Sequence, residues 1–104
     1  MATFKSATVN LTTSAQQIYS ATNATIVLSM MVSNLTTATT AAVTITKHSN
    51  AGIEQTKLVY AVPVPYATSL ECVPNKIVLE AGQSIKALSS ANSTLDITLS
   101  AMET

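Results

Sequence analysis

The strongest constraint on the fold of this chain is an alternation of apolar and polar residues that recurs along it. Residues 8–11, 43–46 and 94–99 each follow this pattern. Successive side chains of a strand point to opposite faces, so the alternation is typical of strands with one face on a core. Val and Thr dominate these stretches, and β-branched side chains suit a pleated surface better than a helix. Because no segment carries a sustained helical stripe, the chain is predicted to be all-β.

Turn residues divide the chain into short strands. Polar or Gly-containing turns are predicted at residues 49–52 and 81–83, and a tight reversal at Pro74 and Asn75. Pro63 and Pro65 interrupt a ladder, which places their strand at an edge or a crossing. The spacing indicates a single antiparallel β-sandwich, jelly-roll or immunoglobulin-like, of about eight short strands. The predicted strands are 3–11, 17–20, 25–34, 42–47, 56–62, 69–73, 76–79, 84–89 and 94–101.

The composition favours one folded domain that spans residues 1–104. Hydrophobic residues make up 47% of the chain and charged residues 10%, which argues against intrinsic disorder. Five lysines balance five acidic residues and there is no arginine, so no nucleic-acid partner is expected. A neutral domain has little electrostatic protection against self-association, and other copies of the chain are therefore expected partners.

The sequence shows no targeting or membrane segment. The N-terminal stretch lacks the apolar run of a signal peptide, and the longest apolar stretch, ATIVLSMMV, is too short to cross a bilayer. A single cysteine, Cys72, cannot form an internal disulfide, and a buried thiol is expected. Synthesis in a reducing cytoplasm and no contact with a membrane are therefore predicted.

Two stretches are predicted to organise the core. In KIVLEAGQSIKALSS, residues 76–90, the apolar residues on either side of Gly82 are expected to share one core, Leu88 among them, so the unit is a hairpin or a corner between sheets. Residues 25–35 are apolar on both faces, so this strand is central or is covered by a partner. A charge at Met31 is therefore expected to disturb folding or assembly. The Thr-rich segment 36–41 is predicted to be a loop, mobile in isolation.

No group of residues has the pattern of a catalytic, cofactor-binding or metal site. His48 is the only histidine and is expected to be exposed at a strand end, and two glycines are too few for a nucleophile elbow. One cysteine and one histidine lie far apart and the acidic residues occur singly, which argues against a zinc or calcium site. No basic residue flanks Cys72, so an inert core thiol is expected. The sequence therefore predicts neither an enzyme nor a bound cofactor.

Ring side chains are too few to indicate a glycan or nucleic-acid surface, since aromatic residues make up 4% of the chain and none is Trp. Tyr60 is predicted to lie in the core with its hydroxyl at the edge. Tyr66, beside the prolines, is the best candidate for an exposed contact. Four N-x-S/T patterns are attributed to the high Ser and Thr content, and they begin at Asn10, Asn23, Asn34 and Asn92.

Three stretches carry a similarity to known proteins: TVNLTTSAQQIYSATNATIVLSMMVSN, then KLVYAVPVP, then SLECVPNKIVLEAGQSIKALSSANSTLDITLSAMET. In order, a strand ends in Asn34, a proline-flanked segment follows, then a K-hydrophobic-V-L-E-x-G-[DQ]-S-I unit, and an LD-hydrophobic-x-x-S strand comes last. This order resembles small β-rich structural proteins of tailed-bacteriophage virions over most of the chain. The matching positions look like fold determinants rather than a site, and they are Leu79, Glu80, Gly82, Ser84, Ile85, Leu95, Asp96 and Ser100.

The resemblance implies a non-enzymatic β-sandwich module that assembles in multiple copies on a phage particle. The leading hypothesis is a capsid decoration, or cement, protein of the virion, whose partner is the assembled shell of major capsid protein. Residues 1–6 and the loop 36–41 would then be arms toward neighbours. One alternative is an adaptor or ring component of the tail, neck or fibre, and another is a carbohydrate-binding module for host adhesion.

Overall fold

The computed structural model describes residues 3–72 and 76–104, and in these residues the chain forms nine strands and no helix. Every predicted strand is present with ends within two residues, and the third and eighth match to the residue. The predicted reversal at 74–75 and the end of the predicted strand 69–73 lie outside the described residues. The strands are β1 (Thr3–Asn10), β2 (Gln16–Ser20), β3 (Thr25–Asn34), β4 (Ala41–His48), β5 (Glu54–Val64), β6 (Ser69–Glu71), β7 (Ile77–Leu79), β8 (Ser84–Ser89) and β9 (Leu95–Glu103).

Two antiparallel sheets pack face to face as a sandwich. Sheet A has the order β1-β9-β3, with β6 and β7 following one another along the far side of β3, and sheet B has the order β2-β8-β4-β5. The chain crosses between the sheets at every connection except β4–β5 and β6–β7, and its first strand lies beside its last. This is the order of an eight-stranded jelly roll whose sixth strand is split into β6 and β7. The predicted β-sandwich is confirmed, in its jelly-roll form.

The core lies between the two sheets. Strand β9 shows how the sequence builds it, because Leu95, Ile97 and Leu99 are fully buried while Thr98 between them is exposed. Burial of a side chain of this size contributes about 1.5–3 kcal/mol. The largest fully buried side chains are Leu11, Met30, Ile45, Leu79, Ile85, Leu95, Ile97, Leu99, Val27, Val32, Val43 and Val64.

The KIVLEAGQSIKALSS unit was predicted to be a hairpin or a corner between the sheets, and it is a corner. Strand β7 pairs with β3 in sheet A, whereas β8 pairs with β2 and β4 in sheet B. Gly82 has a φ of +87°, and a Cβ at this position would lie 2.7 Å from the Cβ of Asn50. Ile85 and Ala87 enter the core, but Leu88 lies on the opposite side of β8 and is half-buried. The core placement predicted for Leu88 is therefore wrong, because the alternation of β8 favours Ala87.

A β-bulge reverses the faces of β3 partway along its length. Val27 pairs with Ala101 and Ser29 pairs with Ser100, so Leu28 is an extra residue without a partner of its own on β9. Strand β3 is hydrogen-bonded on both sides, which makes it a central strand, one of the two alternatives for residues 25–35. Its outer face nevertheless carries apolar side chains.

The two segments expected to be arms toward neighbours are held in the fold where the structure describes them. Residues 3–6 belong to β1 and pair with β9, while residues 1 and 2 lie outside the described part of the chain. In the loop 36–41, the buried Asn34 side chain donates to Thr39 O at 2.9 Å and accepts from Thr36 N at 2.9 Å. The Ala67 N–H also donates to Thr36 O at 2.8 Å. The loop is thus anchored to the domain.

Candidate interaction surface

His48 has the position predicted for it at a strand end but not the predicted exposure. It is the last residue of β4 and is 9% exposed. Its Nε2 lies 2.8 Å from Thr46 Oγ1, and its Nδ1 lies 3.4 Å from Gly52 O, since the β4–β5 turn folds back against the ring. Thr46 is buried as well, so this hydroxyl–imidazole pair is closed to a substrate. The predicted exposure is wrong because a local pattern does not reveal the covering turn.

The charged side chains do not form a reactive cluster in residues 3–72 and 76–104. In these residues, no group of three His, Cys, Asp or Glu side chains could hold a metal ion. Lys57 Nζ binds Glu54 Oε2 at 2.8 Å on the exposed edge of β5, which lowers the pKa of Glu54 and raises that of Lys57. Such an exposed pair is screened by solvent and contributes little to stability. The described chain has no helix long and apolar enough to cross a membrane.

Cys72 is a buried thiol, as expected. Its Sγ lies 3.8 Å from Leu70 O, and it joins the hydrophobic core cluster. Burial, with a smaller contribution from the Glu71 carboxylate, raises the pKa of the Cys72 thiol to about 11. Because the thiolate is the reactive form, this residue is a poor nucleophile and a poor metal ligand at neutral pH.

The Glu103 side chain accepts three hydrogen bonds from the β2 end of the domain. Its Oε1 accepts hydrogen bonds from the N–H groups of Thr22 and Asn23, both at 2.8 Å, and its Oε2 accepts from the Tyr19 hydroxyl at 3.1 Å. The Asn23 N–H makes the largest contribution to lowering the pKa of Glu103, and burial together with Glu103 raises the pKa of Tyr19. These bonds tie the end of β9 to the β2–β3 loop.

An open depression of about 220 Å³ lies beside this carboxylate. It is lined by Thr3, Lys5, Thr22, Asn23, Glu103 and Thr104. Both oxygens of Glu103 already accept hydrogen bonds from the chain, and this use is structural. The depression therefore offers a ligand no free carboxylate.

Tyr66, predicted to be exposed, and Tyr60, predicted to lie in the core, are both exposed. Tyr66 is 52% exposed, in agreement with the prediction of an exposed ring, whereas Tyr60 is 68% exposed and the core placement predicted for it is wrong. Val59 pairs with Ile45 and Val62 with Val43, so Tyr60 and Ala61 form a bulge on β5. Ala61 has a φ of +49°, and this bulge turns Tyr60 away from the core. The ring lies 5.7 Å from Lys57 Nζ.

Four apolar side chains form a continuous row across the outer face of sheet A, which we name the outer apolar row. Phe4 is opposite Met102, Met102 is opposite Ile26, and Ile26 is opposite Val78. Directly opposite residues of neighbouring strands share a face. Phe4 is 77% exposed and Val78 is 60% exposed, and Ile26 and Met102 between them are partly exposed. The row therefore presents its two ends to solvent.

The rest of this outer face is small and mostly uncharged. The neighbouring cross-strand row consists of Ser6, Ser100 and Ser29, and the next contains Thr8, Thr98 and Met31. Met30 is fully buried in the core, whereas Met31 is 45% exposed on the outer face. The short, uncharged serine row beside the outer apolar row allows a second surface to approach closely, whereas acidic side chains begin farther along the face, where Glu71 is opposite Met31.

The sequence did not single out the outer apolar row, because its members lie on four strands that are far apart along the chain. Only the register of β1, β9, β3 and β7 brings them into line. Val78 lies between the apolar residues Ile77 and Leu79, so no alternation assigns its side chain to the outer face. Phe4 is out of phase with the other apolar residues of its strand, and nothing near it in the sequence shows which side chains of other strands lie beside it. The one usable clue was the apolar character of residues 25–35 on both faces.

No protein-family model and no curated protein matches the chain. Among solved structures, the fold is similar to a protein of Bacillus endospore appendages, which are described as disulfide-linked pili. The TM-score is 0.58 at 14% sequence identity, over 100% of this chain and 87% of the other.

A second similar structure is a chain of infectious bursal disease virus, Gx strain. The TM-score is 0.50 at 11% sequence identity, over 98% of this chain and 32% of the viral chain. This chain thus spans about a third of the viral one. At these identities the likeness shows that the fold is shared.

Proposed function

We propose that the chain is a non-enzymatic structural subunit of a tailed-phage virion, a decoration protein that binds the assembled shell of major capsid protein. The outer apolar row is the observation that carries the proposal. Single exposed apolar residues are normal on soluble proteins, but a continuous group of them marks an interaction site. Four strands at the usual spacing give this row a length of about 14 Å.

The row is suited to weak binding at many sites. Burial of Phe4 or Val78 would contribute about 1.5–3 kcal/mol each, so the two together offset only the lower end of the roughly 4–15 kcal/mol that immobilising one free copy costs. On a shell, many equivalent sites and contacts between neighbouring copies add together. A domain with such a row would therefore bind an assembled lattice better than a single capsid subunit.

The internal use of the polar side chains supports a role without chemistry. His48 is enclosed by its own turn, the Cys72 thiol is buried, and the Glu103 carboxylate holds a loop. The similar structures come from pili and from a virus, which favours an assembly subunit over a monomeric enzyme. A jelly roll is also a frequent architecture of viral capsid domains.

The test is co-sedimentation of the purified chain with empty phage shells that lack small accessory proteins. Saturable binding in a fixed ratio to the capsid lattice is the expected result. The variant Val78→Ser should weaken this binding about tenfold or more, because it removes the most exposed β-branched member of the row. The matched control is Ile53→Ser, which changes an exposed apolar residue, 67% exposed, that lies outside the row.

Three other outcomes would contradict the proposal. Absence of binding together with a discrete self-assembled ring would move the chain to the tail, neck or fibre. Retention of an immobilised glycan, lost on substitution of the exposed Tyr66, would favour host adhesion. Equal binding by Val78→Ser and Ile53→Ser would show that the outer apolar row does not contact the shell.

A further inference from the structure

The four edges of the sandwich are not equally protected against pairing with another chain. Strand β2 has five residues and a bulge, β5 contains Pro63 and three irregularities of register, and β6 and β7 have three residues each. Short length, bulges, proline and charged side chains, lysine above all, are devices by which edge strands avoid unwanted pairing. Strand β1 carries one lysine, Lys5, but it is not short, bulged or interrupted by proline, because it keeps one register with β9 over eight residues.

The free side of β1 carries unpaired backbone groups at every second residue. Leu11 N donates to Leu95 O at 2.8 Å, so Leu11 faces β9. Backbone groups of an antiparallel strand alternate in direction, and the register is constant, so residues 9, 7, 5 and 3 also face β9. The N–H and C=O groups of Phe4, Ser6, Thr8 and Asn10 therefore point away from the domain, and no described strand pairs with them.

We propose that β1 of a second copy of this chain pairs antiparallel with β1, which joins sheet A of the two copies into one continuous sheet. The β1 strand of a second copy is the best-matched partner, because it has the same length and regularity. The other edges of the domain are short, broken or bulged. The contact is isologous, so it closes at two copies. This pairing deepens the structural role proposed above. It rests on that role for one point, which is that copies meet at high local concentration on a particle.

The register of the pair follows from the positions of the outward groups. A two-fold axis at Ala7 places Ser6 opposite the partner's Thr8 and Phe4 opposite the partner's Asn10, and this register uses every outward residue. About eight hydrogen bonds then join the two copies. Lys5 is the only charge on β1, and in this register it lies opposite the partner's Val9, away from the other Lys5. No like charges face one another.

The contact is small, and this determines when it forms. A strand of eight residues is about 27 Å long, and its edge is a fraction of the roughly 800 Å² per partner that stable interfaces bury. The pair is therefore expected to dissociate readily in dilute solution and to persist where copies are concentrated, as on a particle. Its test must trap the pair.

Disulfide trapping tests both the contact and its register. Ala7 faces the partner's Ala7 as a non-hydrogen-bonded pair, in which Cα atoms lie about 4.5 Å apart, within the range that a disulfide can bridge. In a Cys72→Ala background with oxidised glutathione, Ala7→Cys should form a covalent dimer at least about tenfold faster than Thr8→Cys. The Thr8 Cα atoms are offset by two residues along the pair, beyond that range. Faster trapping of Thr8→Cys, or equal slow trapping of both, would overturn the proposed pairing.

A proline variant tests the hydrogen bonds without the engineered thiol. Ser6 N–H points away from β9, so Ser6→Pro removes an inter-copy donor while the ladder inside the domain is kept, and proline is tolerated at such edge positions. In concentrated protein, Ser6→Pro should be monomeric while Ser6→Ala dimerises like the natural chain, as measured by sedimentation equilibrium. A natural chain that stays monomeric, or a Ser6→Pro variant that still dimerises, contradicts the inference.

The two proposals fail in different ways. These measurements use the purified chain alone, whereas the decoration role is tested by binding to shells. Absence of a β1 dimer together with saturable shell binding would refute the pairing and leave the decoration role standing. A trapped dimer without shell binding would refute the decoration role and leave the pairing standing.

Discussion

Ile26 lies directly opposite Met102 on the outer face of sheet A, and this pair connects the two exposed ends of the outer apolar row. Strand β3 carries Ile26 and strand β9 carries Met102, and both strands are hydrogen-bonded on either side. The row is therefore supported by the centre of the sheet. Its exposed ends, Phe4 and Val78, lie on the edge strands β1 and β7.

Met31 provides a test of the outer face that does not disturb the core. It is 45% exposed, so Met31→Lys should change the free energy of unfolding by no more than about 0.5 kcal/mol. Shell binding should fall, because burial against the shell would desolvate the new ammonium group, and pairing with Glu71, which lies opposite residue 31, would offset only part of this cost. Urea denaturation and co-sedimentation together measure the two effects, with Ile53→Lys as the control outside this face. A variant that folds and binds like the natural chain would remove Met31 from the interface.

The strands could be predicted from the sequence because their signals are local. The alternation in β9 and the β-branched residues of β4 mark half-buried strands wherever they lie in a sandwich. Gly82 was also predictable as a turn, since glycine adopts the positive φ of this turn without the strain that a Cβ would cause. These features do not depend on which strand becomes the neighbour.

The candidate surface could not be predicted because it depends on register and bulges. Simple alternation along β3 would put Ile26 and Met31 on opposite faces, but the extra residue Leu28 puts both on the outer face. A bulge likewise exposes Tyr60. His48 is covered by the turn that contains Gly52, a contact that no sequence period records. Tertiary pairing decides each of these positions.

Glu103 is expected to make stability depend on acid pH. Its pKa is lowered in the folded chain, so its stabilising contribution is complete above the unfolded pKa of about 4.3 and is lost as the pH falls through the lower folded value. Glu103→Gln should therefore lower the melting temperature at neutral pH and bring it closer to that of the natural chain in strong acid. Thermal melts over a pH series measure this.

Tyr19→Phe is the matched variant for Glu103, because it removes one of the three donors to the carboxylate and keeps the charge. Tyr19→Phe should lower the melting temperature at neutral pH, but by less than Glu103→Gln does. A difference between Glu103→Gln and the natural chain that stays constant down to strong acid would mean that the shape of the side chain, and not its charge, is responsible.

Cys72 should be unreactive in the folded chain. With a pKa of about 11, its thiolate is roughly a hundredfold scarcer at pH 8 than that of an ordinary exposed cysteine. Reaction with a coloured aromatic disulfide should be correspondingly slow in native protein and fast after denaturation, with Thr98→Cys as an exposed control. For the same reason, no disulfide between copies is expected through this residue. Rapid stoichiometric reaction of the native thiol would show that the site opens.

Asn34 should be the most sensitive polar residue of the fold. Its amide donates to Thr39 O and Val64 O and accepts from the N–H and the hydroxyl of Thr36, so its full hydrogen-bonding capacity is used in a buried position. Asn34→Ala leaves these partners unsatisfied and should cost about 2–4 kcal/mol. Urea denaturation measures this cost, and amide exchange in residues 36–40 should accelerate.

The control for Asn34 is Asn92→Ala, which removes one exposed hydrogen bond, from Thr13 N at 2.9 Å, and should cost about 0.5 kcal/mol or less. The comparison matters for assembly as well as for stability, because the loop 36–40 is held to the domain mainly through Asn34 and Thr36. If Asn34→Ala were no more destabilising than Asn92→Ala, the backbone hydrogen bond from Ala67 N to Thr36 O would be sufficient to anchor the loop. The loop could then serve as a rigid contact surface without the Asn34 side chain.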